Sequence, residues 1–117
     1  MKLGSIHHVA IIVSDYERSK KFYVEKLGFE IIRENYRAER GDYKLDLKLD
    51  GCELEIFSAV GNPPRPSYPE ACGLRHLAFR VESAEETVAW LRKLGIECEP
   101  VRIDPFTRKR MTFFFDP

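Results

Sequence analysis

The amino-acid sequence predicts an α+β fold made of two copies of one module. The segment His8-Val-Ala-Ile-Ile-Val returns as His76-Leu-Ala-Phe-Arg-Val, and Lys26-Leu-Gly-Phe-Glu-Ile returns as Lys93-Leu-Gly-Ile-Glu-Cys. From histidine to glycine the spacing is 20 residues in the first copy and 19 in the second, so the copies align with one gap. A duplicated module therefore organises the chain.

Each copy opens with the period-two alternation of a β-strand and continues with the signals of a helix. The sequences Ser14-x-x-Glu17 and Ser83-x-x-Glu86 predict capped helix starts, and Gly28 and Gly95 stand where left-handed C-terminal caps are expected. Helical spacing predicts that each helix buries one apolar face, formed by Tyr16, Phe22, Tyr23 and Leu27 in the first copy and by Val88, Trp90, Leu91 and Leu94 in the second.

After its helix the first copy predicts three further strands, at about residues 29–36, 43–49 and 52–57, with a tight turn at Asp50-Gly51. The first module is therefore βαβββ and spans about residues 5–58. Residues 59–73 form a linker, whose stretch 61–69 contains four of the seven prolines. The second module spans about residues 74–117, so we expect one domain over 1–117 with two pseudo-symmetric βαβββ modules.

The composition of the 117 residues excludes several classes of protein. The 19 basic and 19 acidic side chains cancel, which argues against a nucleic-acid partner. The longest apolar run, residues 9–13, is far shorter than the ~20 residues of a membrane helix. The cysteines Cys52, Cys72 and Cys98 are odd in number and lack a C-x-x-C spacing, which favours buried thiols in a reducing compartment. We therefore expect a cytoplasmic protein without a membrane partner.

Three side chains are candidates for a shared site. His8 and His76 open equivalent strands on the same face, and Glu55 lies on the strand face opposite to its apolar neighbours Leu54 and Ile56. Two histidines and one carboxylate from separate strands suit a divalent zinc, nickel, manganese or iron ion. By strand alternation His7 should point away from His8, as an exposed histidine or one that supports a ligand from outside.

These residues and their neighbours carry a resemblance to a known family. The sequence resembles the vicinal oxygen chelate superfamily, most of all its small glyoxalase-like members, through His8-Val-Ala-Ile, Phe22-Tyr23, Leu27-Gly-Phe, Glu55-Ile-Phe, Gly73-Leu-Arg-His-Leu-Ala-Phe and Phe113-Phe-Phe-Asp-Pro. The resemblance covers essentially the whole chain. It implies that the paired modules form a cupped mixed sheet around a divalent metal, with ligands from the first and fourth strand of each module.

The ligand set implied by the resemblance is His8, Glu55 and His76, with zinc or nickel favoured over manganese or iron. The fourth position, offset by 67 residues from Glu55, falls at residue 122, after Pro117. Either the chain continues past this sequence, or the last strand is missing and water takes that position. An incomplete second module leaves an open strand edge, for which pairing with another chain is a common remedy, so we expect a homodimer.

The resemblance implies a metal-dependent lyase or isomerase acting on a small substrate with vicinal oxygens, in which Glu55 is the catalytic base. Two alternatives stay open: a ring-cleaving dioxygenase, which would need redox-active iron, and a non-enzymatic module that sequesters a drug or another small molecule. The residues that bind substrate are unknown. Arg65, Arg108 and Arg110 are three candidates, because guanidinium groups suit a carboxylate or phosphate. We favour the alternative that these arginines are rim charges that balance Asp104 and Asp116.

Overall fold

The computed structural model describes residues 1–117, which form two compact units, Met1–Arg65 with Pro117, and Pro66–Asp116. The boundary between the units falls within the linker expected at 59–73. None of the helices is both long and apolar enough to cross a membrane. The elements in chain order are β1 (His8–Ile12), α1 (Tyr16–Lys20) with a π-helical continuation (Lys21–Lys26), β2 (Glu30–Arg37), β3 (Asp42–Leu49), β4 (Cys52–Ala59), α2 (Ala84–Lys93), β5 (Arg102–Ile103) and β6 (Arg110–Met111).

The first unit is built on a four-stranded mixed sheet with the order β1-β4-β3-β2. β3 pairs antiparallel with both β2 and β4, whereas β1 joins the edge of β4 in parallel. The turn at Asp50-Gly51 joins Leu49 to Cys52 as expected, and Asp50 adopts a φ of 52° there. The predicted α+β class with a mixed sheet is confirmed, and so is the βαβββ order of the first module.

The alternation along β3 and β4 gives this sheet one apolar face. Leu45, Leu47 and Ile56 are 0% exposed, and Leu54 is buried beside them. Successive side chains of a strand point to opposite faces, so the charged residues between them lie on the other side. The apolar core of the first unit is completed by Val13, Tyr16, Phe22, Tyr23 and Phe29.

The first helix begins one residue later than the sequence predicts. Asp15, rather than Ser14, is the N-cap, and its Oδ1 accepts the Arg18 amide at 3.1 Å. The Val13 amide still donates to the Phe57 carbonyl at 2.9 Å, so the chain is paired with β4 until the residue before Ser14. The expectation of a capping box at Ser14 is therefore wrong.

The second half of this helix is π-helical, which differs from the regular helix that the spacing predicts. The Leu27 amide donates to the Phe22 carbonyl five residues earlier, at 3.0 Å. The wider turn allows the consecutive residues Phe22 and Tyr23 both to be buried. The segment ends at Gly28, whose φ of 80° confirms the predicted left-handed cap.

A polar contact ties α1 to β2. The buried Tyr16 donates its hydroxyl hydrogen to Glu34 Oε2, and Lys20 Nζ lies 2.6 Å from the same oxygen. The Tyr16 ring stacks on Tyr43 with centroids 4.4 Å apart. Burial, followed by the hydrogen bond to Glu34, raises the pKa of Tyr16 far above its ordinary value.

The second unit contains the predicted helix α2. Ser83 caps it by accepting the Glu86 amide at 3.2 Å, and Gly95 ends it with a φ of 78°. Val88 and Leu91 are buried as expected, but Trp90 is 45% exposed. Trp90 lies about 100° around the helix from Leu91, and this places it off the buried stripe.

The strand expected at the start of the second module is absent from the structure. Residues 74–81 form no ladder, and the regular pairing in this unit is limited to β5 with β6 and one bridge between Cys98 and Phe114. In the first unit β1 obtains its hydrogen bonds from β4. No segment of the second unit pairs with residues 74–81 in the way that β4 pairs with β1.

All three cysteines are free thiols. Cys72 is exposed, while Cys52 and Cys98 are half-buried, so the expectation of buried thiols is wrong, most clearly for Cys72. Cys72 lies in the stretch that precedes the unpaired segment 74–81, where no sheet covers it.

Replacing Leu47 by alanine should lower the free energy of unfolding by about 3 kcal/mol, because it removes a fully buried side chain and leaves a cavity. Leu49, on the same strand and face but 39% exposed, is the control. Leu49→Ala should cost about 1 kcal/mol or less. Urea denaturation measures both values, and equal losses would contradict the assigned core.

The raised pKa of Tyr16 predicts a loss of stability at alkaline pH. An unfolded tyrosine ionises near pH 10, and the folded one at higher pH, so the unfolded state releases its proton first and stability falls as the pH rises above ~10. Tyr16→Phe removes this dependence. Melting temperatures at pH 9 and 11 should therefore differ less in Tyr16→Phe than in Tyr68→Phe, in which an exposed tyrosine is replaced.

Candidate functional site

The face of the sheet opposite to the leucines is charged and encloses a cavity. Cross-strand register places Arg33, Asp46, Glu55 and Ala10 in one row across all four strands. The cavity has a volume of about 220 Å³ and is lined by His7, His8, Arg33, Lys44, Asp46, Glu53 and Glu55. The predicted separation of the acidic residues of β4 from Leu54 and Ile56 is confirmed.

His8 and Glu55 form the centre of this cavity. Nε2 of His8 lies 2.7 Å from Oε2 of Glu55. The two residues come from β1 and β4, whose parallel pairing sets Glu55 beside Ala10, two residues along the strand from His8. The side chain of His8 is half-exposed and that of Glu55 is mostly buried, so the pair faces the cavity with a donor atom from each strand.

Lys44 links the two most enclosed carboxylates of the cavity. Its Nζ lies 2.9 Å from Glu55 Oε1 and 3.3 Å from Asp46 Oδ1, and the latter contact is an ion pair that lacks hydrogen-bond alignment. Asp46 is only 1% exposed. The Glu55 carboxylate, more than that of Asp46, raises the pKa of Lys44, and burial partly opposes this shift. Lys44 is therefore a fixed positive charge between two carboxylates.

His7 lies on the same side as His8, which corrects the expectation that it points away. The Nδ1 atoms of the two rings are 2.9 Å apart, and Nε2 of His7 lies 3.0 Å from Glu53 Oε2. β1 begins at His8, so strand alternation does not apply to the residue before it. The exposure expected for His7 is found. The four side chains form a chain of polar contacts in the order Glu53, His7, His8, Glu55.

His76 belongs to the second unit, where it is exposed and meets the Phe113 ring edge-on, with centroids 5.4 Å apart. The structure holds no group of three or more histidine, cysteine or acidic side chains arranged to bind a metal ion. The combination of His76 with His8 and Glu55 therefore stays a prediction.

Sequence reasoning missed Arg33, Lys44 and Asp46 as members of the site. For Lys44 and Asp46 the signal was present, because they alternate with Leu45 and Leu47 and share a face with the acidic residues of β4. For Arg33 there was no signal. A register shift in β2 between Ile31 and Arg33 decides which face this side chain takes.

Arg110 and Asp104, two of the residues considered as rim charges, have other partners than those expected. Arg110 Nη1 pairs with Glu85 at 2.8 Å. The Asp104 carboxylate accepts the backbone amides of Thr107 and Phe106, which lower its pKa below the ordinary value, and so it serves a turn rather than an arginine.

The fold and the polar face agree with the family comparison. A profile of the Glyoxalase/Bleomycin resistance protein/Dioxygenase superfamily matches residues 5–117. The chain belongs to this superfamily, so the resemblance noted in the sequence is confirmed.

Two bacterial proteins are similar over almost their whole length. YwkD of Bacillus subtilis, a protein of uncharacterized function, is 61% identical over 100% of this chain and 92% of its own. The crystal structure of a glyoxalase family protein from Enterococcus faecalis is 65% identical, covers 97% of this chain and 90% of its own, and has a TM-score of 0.92.

Two more distant matches carry names that specify an activity or a ligand. Mouse mitochondrial methylmalonyl-CoA epimerase is 27% identical over 81% of this chain and 56% of its own. The fosfomycin resistance protein FosX from Listeria monocytogenes shares the fold, with 20% identity over 98% of this chain and 86% of its own and a TM-score of 0.71. Its structure was solved with Mn(II) and a dihydroxypropylphosphonic acid. One protein of the same fold has thus been solved with a metal ion and a small molecule bound.

Replacing Lys44 by methionine should lower the free energy of unfolding by about 2 kcal/mol, because it leaves Glu55 and Asp46 without their shared cation. Lys48 lies on the same strand and face and forms no ion pair, so Lys48→Met should change stability by no more than about 0.5 kcal/mol. Chemical denaturation at neutral pH tests the difference, and equal effects would show that the Lys44 bridge is not stabilising.

Proposed function

We propose that this protein is a metal-dependent lyase or isomerase of the glyoxalase type, acting on a small substrate with two neighbouring oxygens. The proposed ligands are His8, Glu55 and His76, and Glu55 is the proposed base. The observation that supports it most directly is the contact of 2.7 Å between His8 Nε2 and Glu55 Oε2 inside the cavity. An imidazole nitrogen and a carboxylate oxygen are donors that zinc, nickel, manganese and iron all accept.

The contact between the two histidines also fits a cation at His8. Nε2 of each ring faces a carboxylate, and the two Nδ1 atoms face each other at 2.9 Å. If Nε2 of His8 instead binds a cation, Nδ1–H of His8 donates to His7, and Nε2–H of His7 donates to Glu53.

This tautomer gives each ring nitrogen of His8 and Nε2 of His7 a partner. Metal-binding histidines commonly use the other ring nitrogen for such a supporting hydrogen bond. His7 and Glu53 would then orient His8 and raise its basicity as a ligand. In this proposal His7 supports the site from outside, one of the two roles considered for it from the sequence.

The chain itself supplies the proton transfer. Glu55 takes a proton from the carbon next to the substrate carbonyl and returns it to the product. Lys44 pairs with Oε1 of Glu55, so Oε2, which faces His8 and the cavity, is the oxygen available to a metal or a proton. A bound divalent metal would polarise the two substrate oxygens and stabilise the negative charge that develops as the proton leaves.

The similarity to methylmalonyl-CoA epimerase supports this type of reaction. An epimerase inverts one stereocentre, and the step in common with the proposed reaction is the removal of a proton from a carbon next to a carbonyl. The epimerase is longer than this chain, which covers 56% of it, so the similarity supports the reaction type rather than the substrate.

Two other expectations belong to the proposal. We propose a homodimer, because β1 and β2 stand at the edges of their sheet and a second copy is a common means of covering such an edge. We also propose a cytoplasmic location, in which the three free thiols stay reduced. Among the metals, zinc or nickel remains favoured.

Replacing Glu55 by glutamine should reduce the metal content of protein purified without added metal and lower turnover of methylglyoxal thiol conjugates by about 10²-fold or more, because a ligand charge and the base are lost together. His76→Ala should also lower both. Elemental analysis and a spectrophotometric assay measure these quantities.

The matched control for this experiment is Glu30→Gln, which removes an exposed carboxylate of β2 that forms no ion pair. It should change neither metal content nor turnover. Unchanged metal and activity in Glu55→Gln would instead favour a binding module, and bound iron with catechol turnover would favour the dioxygenase.

A further inference from the structure

We infer that Arg33 binds an anionic oxygen group of the substrate, a carboxylate or a phosphate, at the edge of the cavity that holds His8 and Glu55. The inference deepens the proposed function, on which it rests for the identity of the site. Arg33 lines the cavity and lies in the same cross-strand row as Glu55, with Asp46 between them.

An irregularity in β2 brings Arg33 to this face. Ile31 pairs with Leu47, but Arg33 pairs with Asp46, so one extra residue is accommodated between these two pairs. In unbroken register Arg33 would oppose Leu45 and point to the apolar face. The bulge therefore moves its guanidinium from the core side of the sheet to the cavity side. Bulges that redirect a side chain in this way are frequent next to binding sites.

The guanidinium of Arg33 is held from one side only. Its Nε donates to Asp46 Oδ2 at 2.6 Å, and Asp46 is buried. The two terminal nitrogens form no hydrogen bond or ion pair with the protein, and the side chain is 59% exposed. A fixed guanidinium with its terminal N–H groups free is suited to bind a carboxylate or phosphate through two hydrogen bonds.

Arg37 shows the contrasting arrangement on the same strand and face. Its Nε and Nη2 both bind the Asp42 carboxylate, at 2.6 and 2.5 Å, and its guanidinium lies over the Phe57 ring. Its hydrogen-bonding groups are largely used by the protein, and it does not line the cavity. Arg37 is therefore a matched control for Arg33.

The charges around Arg33 are compatible with an anion. Lys44 offsets Glu55 and shares Asp46 with Arg33, so the carboxylates nearest to the guanidinium already have cationic partners. Asp46 orients Arg33 without using its outer donors. A substrate with an anionic group next to its vicinal oxygens would place that group on Arg33 and its reacting carbon toward Glu55.

The test uses titration calorimetry with three probes, namely pyruvate, inorganic phosphate and the uncharged analogue hydroxyacetone. Each probe is titrated into protein treated with chelator, and then into the same protein with Mn(II) added. The intact protein should bind at least one anion and bind hydroxyacetone at least about tenfold more weakly. Arg33→Gln should weaken binding of that anion by about tenfold or more, and Arg37→Gln by less than about twofold. Preference for pyruvate identifies a carboxylate, and preference for phosphate identifies a phosphate.

Arg33→Lys keeps the positive charge next to Asp46 but lacks the planar pair of donors. It is the second variant, used in case Arg33→Gln does not fold. It should keep the fold and bind the anion more weakly than the intact protein does. Anion binding that is equal in the intact protein, Arg33→Gln and Arg33→Lys, or absent from all three, would overturn the inference. Binding of Mn(II) to the chelator-treated intact protein is titrated separately. Failure to bind it would refute the proposed function, while the anion titrations would still judge Arg33.

Discussion

The first unit depends on the strict alternation of leucine and charge along β3 and β4. A strand has only two faces, so a run in which Leu45 and Leu47 alternate with Lys44 and Asp46 can bury the leucines only by collecting the charges on the other side. The same alternation sets Leu54 and Ile56 against Glu53 and Glu55. The core and the candidate site are therefore produced by one pattern, and a slip of one residue in the register would exchange them.

The charged side chains on this face of the sheet pair with side chains of opposite charge on the same face. Arg33 and Lys44 meet Asp46, Lys44 and His8 meet Glu55, and the chain of contacts continues through His7 to Glu53. Desolvated carboxylates without partners would be costly, so these pairs are a condition for enclosing the cavity. They also leave specific atoms available, namely the outer donors of Arg33 and the cavity-facing side of His8 and Glu55.

Much of this arrangement could be predicted from the sequence because it depends on local periodicity. The strands of the first module, the turn at Asp50-Gly51, the Ser83 cap and the facing of Glu55 all follow from spacings of two to four residues. The errors arise where a single residue changes the register. The bulge before Arg33 and the π-helical turn each insert one residue into a regular pattern, which a periodicity argument cannot place. The missing strand at residues 74–81 has a different cause, since a strand also needs an edge to pair with.

The parallel pairing of β1 with β4 has a consequence for the order in which the site can assemble. β2, β3 and β4 form a meander of local hairpins, whereas roughly 40 residues separate the end of β1 from the start of β4. Contacts across such a separation carry a larger loop-closure entropy than a two-residue turn does. A chain that has formed only its hairpins would already bring together Arg33, Asp46, Lys44 and Glu55, but not His8. The contact between His8 and Glu55 is therefore acquired only when β1 joins β4, so a chain with its hairpins alone would lack this part of the proposed metal site.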